Sequence, residues 1–189
     1  MARITSTNSN NRGTAVLPEV EVLVRAERWN DARRAITVEL RSDPRNHWLV
    51  SRLALTFYEQ RRYKDTLILN ERALALNPRC PLTLWDYAGT LQMLDRNNEA
   101  AEVYRRLIRR GSKRIANGPC GEGLARARGL IADCHLRLSD SLRALNLESE
   151  SLIHFEKHLD LRGPGCQSIH SLKDLAKRRG ASVRSRGAV

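Results

Sequence analysis

The residues of this chain best equipped for chemistry are five histidines, His47, His135, His154, His158 and His170, and four cysteines, Cys80, Cys120, Cys134 and Cys166. His154 and His158 stand four apart, a spacing that sets two imidazoles on one face of a helix, as a zinc site would need. They lack the glutamate of an HExxH site, and the pair reads as surface histidines beside Phe155. Cys134 and His135 are adjacent, so on a helix their side chains point about 100° apart and do not readily share one ion. Cys166 with His170 is the other pairing available, and no CxxC accompanies either. No metal is expected, and with no export signal the thiols are expected to be reduced. A Gly-Lys-Ser/Thr phosphate loop and a Gly-x-Ser-x-Gly nucleophile turn are both missing. A non-enzymatic protein with no catalytic residue and no cofactor is therefore expected.

Charge is the second chemical feature. Lys and Arg number 33 against 21 Asp and Glu, a formal net charge of +12, which attracts acidic partners: peptide, nucleic acid or anionic membrane. The basic residues concentrate at Arg105, Arg106, Arg109, Arg110, Lys113 and Arg114, and again at Lys177, Arg178, Arg179, Arg184 and Arg186. Arginines four apart on a helix also suit a solvated outer face, and a basic tail needs no dedicated ligand. No aromatic-interleaved recognition motif, zinc finger or glycine-rich RNA loop is present, so nucleic acid ranks behind protein as a partner. No stretch approaches the roughly 18 uninterrupted apolar residues of a membrane span. Residues 1–13 carry no apolar signal region, and a cytoplasmic protein is expected.

The elements that must position these residues are helical. Apolar residues make up 41% and aromatics only 5%, a composition poor in strand formers. Ala32, Thr66 and Ala100 are spaced by 34, as are Trp29, Tyr63 and Asn97, and Pro44 and Pro78. A proline holds the preceding residue extended, so Asp43 and Asn77 must end helices. Two short antiparallel helices per unit follow. His47 to Gln60 carries Leu49, Leu53, Ala54 and Phe57 on one face, Arg61-Arg62 turns the chain, and Tyr63 to Leu76 returns with Leu67, Ala73 and Leu74. In the next unit Pro81 opens a helix with Leu84, Tyr87, Ala88 and Leu91 inward. Asp95 to Asn98 turns with a cap-competent Asn, and Ala100, Val103, Tyr104 and Leu107 face inward on the second helix. Ala32, Ala54, Ala73 and Ala88 fall where helices must approach closely.

With these residues in place, the chain resembles the tetratricopeptide repeat family, a 34-residue helix–turn–helix unit with the pattern W-x2-L-G-x2-Y, A-x3-F and P. The match runs from about residue 13 to 114 in three units near 13–46, 47–80 and 81–114. Leu53, Ala54, Phe57, Ala73 and Pro78 carry it in the second, and Tyr87, Ala88, Leu91, Ala100 and Tyr104 in the third. The first is shortened by Pro18 but keeps Trp29, Ala32, Ile36 and Pro44. A loop from Gly111 to Gly123 leads to a degenerate unit over 124–162. Its long helix, Leu124 to Leu145, carries Leu130, Cys134, Leu138, Leu142 and Leu145, and its return, Ser149 to Leu161, is expected to bury Leu152, Phe155 and Leu159. Ile169, Leu172, Leu175 and Ala176 suit a capping helix over 163–177, which a stacked array needs at its end. Residues 1–14 and 178–189 read as polar and basic disordered tails around a 15–162 array. The resemblance implies an all-α, right-handed superhelical array of helix–turn–helix repeats with a C-terminal capping helix.

It also implies a concave groove formed by the first helix of each unit. Its positions would be Trp48, Ser51, Arg52, Leu55 and Tyr58, then Leu82, Trp85, Asp86, Gly89 and Gln92. Trp48 and Trp85 either anchor a partner or pack between repeats. Arg52 either forks a partner carboxylate or stays solvated. Members that grip chaperone C-terminal carboxylates use Lys and Asn at set groove positions. Leu17, Glu21, Arg52, Leu82 and Asp86 stand there instead, so that clamp is absent. The expected function is a protein-interaction scaffold or adaptor holding a peptide or protein segment of acidic character in the groove. A nucleic-acid-associated repeat protein is the alternative, and a regulatory module detached from a catalytic domain ranks third.

Overall fold

A computed structural model describes residues 17–170. Nine helices occupy them in the order α1 (Leu17–Arg25), α2 (Trp29–Ser42), α3 (His47–Tyr58), α4 (Tyr63–Leu76), α5 (Pro81–Met93), α6 (Asn97–Arg110), α7 (Ser112–Ala116), α8 (Leu124–Ala144) and α9 (Glu148–Asp160). No strand occurs among the described residues. The chain divides between Asp95 and Arg96 into two compact units.

The first unit holds α1 to α5 as successive antiparallel helices. Each 34-residue step is written in the backbone. Glu27, Arg61 and Asp95, spaced by 34, all occupy the left-handed region, at φ 54°, 58° and 58°. A left-handed residue after a helix lets the next N–H reach back along the helix: Arg28 N–H donates to Leu23 O and Arg62 N–H to Phe57 O, both at 2.9 Å. The arginine that follows then ties down the start of the next helix. Arg28 pairs with Asp31 at 2.7 Å, Arg62 with Asp65 at 2.9 Å and Arg96 with Glu99 at 2.7 Å. α3 instead starts on Asn46, whose side chain accepts from Leu49 N–H at 3.2 Å. α6 begins at Asn97 with Arg96 at its N-cap and no side-chain cap bond, so the expected Asn cap and the turn to Asn98 are not formed.

Val20, Ile36 and Leu49 make the buried centre of this unit, with Val24, Ala35, Leu40 and Leu53 packed against it. Ala32, Ala54, Ala73 and Ala88 are all at most 1% exposed, as the repeat register predicts for helix crossings. Two buried polar bridges accompany them: Ser51 to Thr83 between α3 and α5 at 2.9 Å, and Asn70 Nδ2 donating to Thr90 between α4 and α5 at 3.1 Å.

The second unit is built around α8, which is buried continuously from Ile131 to Leu136. α6, α7 and α9 pack on it. α7 was not expected: the stretch from Gly111 to Gly123 reads as loop, yet Ser112–Ala116 closes one helical turn and buries Ile115. The α8–α9 connection repeats the first unit's turn. Asn146 sits at φ 60°, and Leu147 N–H donates to Leu142 O at 2.9 Å.

The buried face of α9 differs from the apolar reading. Leu152 is 41% exposed, and Phe155 and Leu159 are only half-buried. Ser151 and His158 are the buried residues. α8 supplies hydrogen bonds to both: Ser151 Oγ donates to Ser139 O at 2.9 Å, and His158 Nδ1–H donates to Ala132 O at 2.7 Å.

Residues 163–170 run as turns and bends rather than as the start of a capping helix. They lie along α8 so closely that a Cβ on Gly129 would fall 1.8 Å from Gln167 O. Asp133 holds this strap, accepting from Ser168 Oγ at 2.5 Å and from Ile169 N–H at 3.0 Å. Leu172, Leu175 and Ala176 of the expected capping helix, and both expected tails, lie outside the described residues.

Candidate partner-binding groove

Three of the first helices, α1, α3 and α5, belong to the first unit, and their side chains form the candidate groove. Its centre is Arg52. The Arg52 guanidinium sits 2.7 Å from Glu21 Oε1 and lies over the Trp48 ring at 5.5 Å from the centroid. Glu21 and Arg52 keep about 30% of their side-chain surface exposed, 30% and 29%, so the pair is neither core nor freely solvated. Of the two readings of Arg52 drawn from the sequence, the freely solvated one does not describe it. It is engaged within the molecule.

Asp86 on α5 is half-buried. Burial pushes its carboxyl up to about 7; the Arg52 charge pulls it down, and the Cys80 thiol adds a smaller push upward. Trp48 and Trp85 are both half-buried, leaving ring surface at the face. Gln92, also half-buried, lies near the end of α5, where its carbonyl accepts from Asp95 N–H at 3.0 Å.

Two of the expected groove residues are otherwise employed. Ser51 is 6% exposed and bonded to Thr83, so it belongs to the α3–α5 packing and offers nothing to a partner. Tyr58 meets Tyr63 edge-on, with ring centroids 5.3 Å apart, and so braces the α3–α4 turn. Glu21 is the residue that pattern reading did not include in the groove set. Its signal was present: it stands at a clamp position, opposite in charge to Arg52.

No protein-family model matches the chain, and no curated protein matches it. Solved structures do. MamA from Desulfovibrio magneticus RS-1 superposes with a TM-score of 0.61 over 80% of this chain and 76% of its own, at 12% identity. A double mutant of the RS-1 protein gives 0.63 over the same shares, at 11% identity. MamA from AMB-1 gives 0.58 over 77% of this chain and 76% of its own, at 19% identity. The likeness shows the fold: all-α, built from helical repeats.

The expected basic patch lies in the second unit, and the structure divides it. Arg105 is taken up by Glu102 at 2.8 Å and by Glu150 of α9 at 3.5 Å. Arg106, Arg109, Lys113 and Arg114 are exposed and spread along α6 and α7, and Arg110 is half-buried. Among the described residues no helix is long and apolar enough to cross a membrane.

The histidines are the larger correction. His158 is fully buried, not a surface partner of His154, and its Nδ1 stands 3.8 Å from Asp133 Oδ1. His154 reaches α8 instead, where its Nδ1 lies 2.8 Å from His135 Nδ1 with the rings stacked at 5.1 Å. Burial lowers His135 to about 4, helped by the charges of His154, Lys157 and His158. The pair is therefore neutral at pH 7, one ring donating to the other. No disulfide joins the four cysteines, and burial, then the Asp133 charge, holds the Cys134 thiol well above its usual range. A thiol so placed is a poor nucleophile.

Proposed function

We propose that this chain is a non-enzymatic protein-interaction scaffold whose partner, a protein or peptide segment, lies against α3 and α5 of the first unit. The observation that carries the reading is Trp48: its half-exposed ring is held by the Arg52 guanidinium, itself fixed by Glu21. A pre-ordered aromatic costs little entropy to bind against, and aromatic anchors dominate interface energy. Trp85 supplies a second ring on the neighbouring helix. The helical-repeat fold supports this use, since stacked short helices leave one helix of each pair free to present side chains.

The expectation of an acidic partner finds little support on this face. Arg52 is already matched by Glu21, so a partner carboxylate would have to displace an existing ion pair. The exposed basic residues of α6 and α7, Arg106, Arg109, Lys113 and Arg114 among them, would attract acidic segments by acting on the rate of encounter more than on seating.

The test is capture of binding proteins from source-cell extract by the full chain and by Trp48→Ala and Trp85→Ala, with mass spectrometry of what is retained. Partners held by the wild type and lost from both folded variants support the reading. Retention that ignores both tryptophans, or that disappears with nuclease treatment, contradicts it.

A further inference from the structure

The same face carries a chemical preference, one that depends on its being the partner site. Glu21 and Arg52 stand 2.7 Å apart as an ion pair and balance each other's charge, although Glu21 Oε1 and Arg52 Nε form no hydrogen bond. Asp86 is different. Its residue is half-buried on α5, a helix with no other charged residue, and its carboxyl makes no hydrogen bond or ion pair with any described residue. A half-buried carboxyl with no protein donor is left to water, which an occupant of the face would displace. Ser51, Thr83 and Thr90 show the alternative in the same helices: each polar group there that faces a neighbour has found one.

We infer that Asp86 receives a lysine or arginine side chain of the segment that occupies the α3–α5 face. Three kinds of group could meet this carboxyl. A carbonyl would need it protonated, and a neutral N–H would leave its charge desolvated. Only a cation compensates the charge as well as the lone pairs. With Glu21 and Arg52 cancelling each other, Asp86 is the remaining charge at the centre of the face. The aliphatic stem of Lys or Arg suits the ring surface of Trp85 and Trp48, along which such side chains lie while their heads reach a carboxylate.

The surroundings give the step a proton signature. The groups whose charge reaches Asp86 are Arg52 on α3 and the Cys80 thiol at the start of α5; α4 turns Asn70, an uncharged group, toward α5. Burial sets the free carboxyl near neutrality, so a part of the population holds a proton that an arriving cation displaces. Binding then releases protons and tightens as pH rises through about 7.

The test uses the full chain as bait for a displayed library of short random peptides, with Asp86→Asn as counter-bait. Enrichment of peptides holding Lys or Arg is expected. Their affinity should fall about tenfold on Asp86→Asn, equivalent to about 1.4 kcal/mol, and survive in Asp86→Glu. Calorimetry of a selected peptide in buffers of different ionisation enthalpy should show proton release for the wild type and none for Asp86→Asn. Peptides that lose binding on Trp48→Ala or Trp85→Ala but need no basic residue overturn the role of Asp86 and leave the scaffold reading standing. Peptides indifferent to both tryptophans, or a library that enriches nothing, count against both. Circular dichroism of each variant separates loss of fold from loss of contact.

Discussion

Arg52 on α3 and Glu21 on α1 are joined at 2.7 Å, and the same guanidinium covers the Trp48 ring. This one pair links two successive first helices of the array and sets the orientation of an aromatic ring at the candidate binding face. Both side chains are about 30% exposed, so water screens their attraction. A double-mutant cycle of Glu21→Ala and Arg52→Ala, read by urea unfolding, should give a coupling of about 0.5 kcal/mol. The larger effect is expected on Asp86: without the Arg52 charge its carboxyl should titrate higher still, which carbon-detected NMR of the carboxyl reports directly.

Ala88 is fully buried where helices cross. Ala88→Leu adds methylene groups to a site with no room and should cost about 1–3 kcal/mol in thermal or urea unfolding. Wild-type stability in that variant would place Ala88 on the wrong face and remove the register on which the groove depends.

Arg61 is an exposed residue held at φ 58°, a conformation that costs a side chain about 1–2 kcal/mol and glycine almost nothing. Arg61→Gly should therefore leave stability unchanged or raise it by up to about 1 kcal/mol, the gain being reduced by glycine's freer unfolded state. Loss of more than that would mean the Arg61 side chain has a role in the α3–α4 turn.

Asp133 holds the strap of residues 163–170 through Ser168 and the Ile169 amide. Asp133→Ala leaves the Ile169 N–H without its acceptor, and the buried loss should cost about 1–3 kcal/mol. Hydrogen exchange at Ile169 should speed up while exchange in α3 and α4 stays as it was.

His135 gives the fold an acid sensitivity whose sign can be worked out. Its folded value, about 4, lies below the ordinary 6.5, so the unfolded chain binds more protons between the two. Stability from this group is complete above about pH 6.5 and is lost progressively as the pH falls towards 4. In His135→Asn the stability lost over that window should shrink, measured by urea unfolding at stepped pH.

Much of the fold was legible because the 34-residue period writes itself in residue types that have few other uses. Asn77-Pro78 ends α4 at Leu76, and the buried alanines mark crossings that larger side chains could not occupy. The left-handed turns were not legible, since Glu27, Arg61 and Asp95 are not the glycines that such a backbone favours. α9 was misread for a related reason. Apolar periodicity counts Ser and His as surface, whereas Ser151 and His158 are buried because α8 supplies their hydrogen bonds. In the groove, position in the repeat located Arg52 and Asp86, but no spacing rule shows that Arg52 is already matched by Glu21 and Asp86 is not. That distinction comes only from side-chain geometry.

The central claim is that a protein segment covers the face of α3 and α5. Hydroxyl-radical footprinting of the full chain, alone and saturated with a partner recovered by capture, reads it most directly, because tryptophan rings oxidise in proportion to their exposure. Trp48 and Trp85 are both half-exposed in the free chain and should be protected together in the complex, while Trp29 on α2 keeps its rate. Unchanged oxidation of Trp48 and Trp85 at full occupancy would contradict the account.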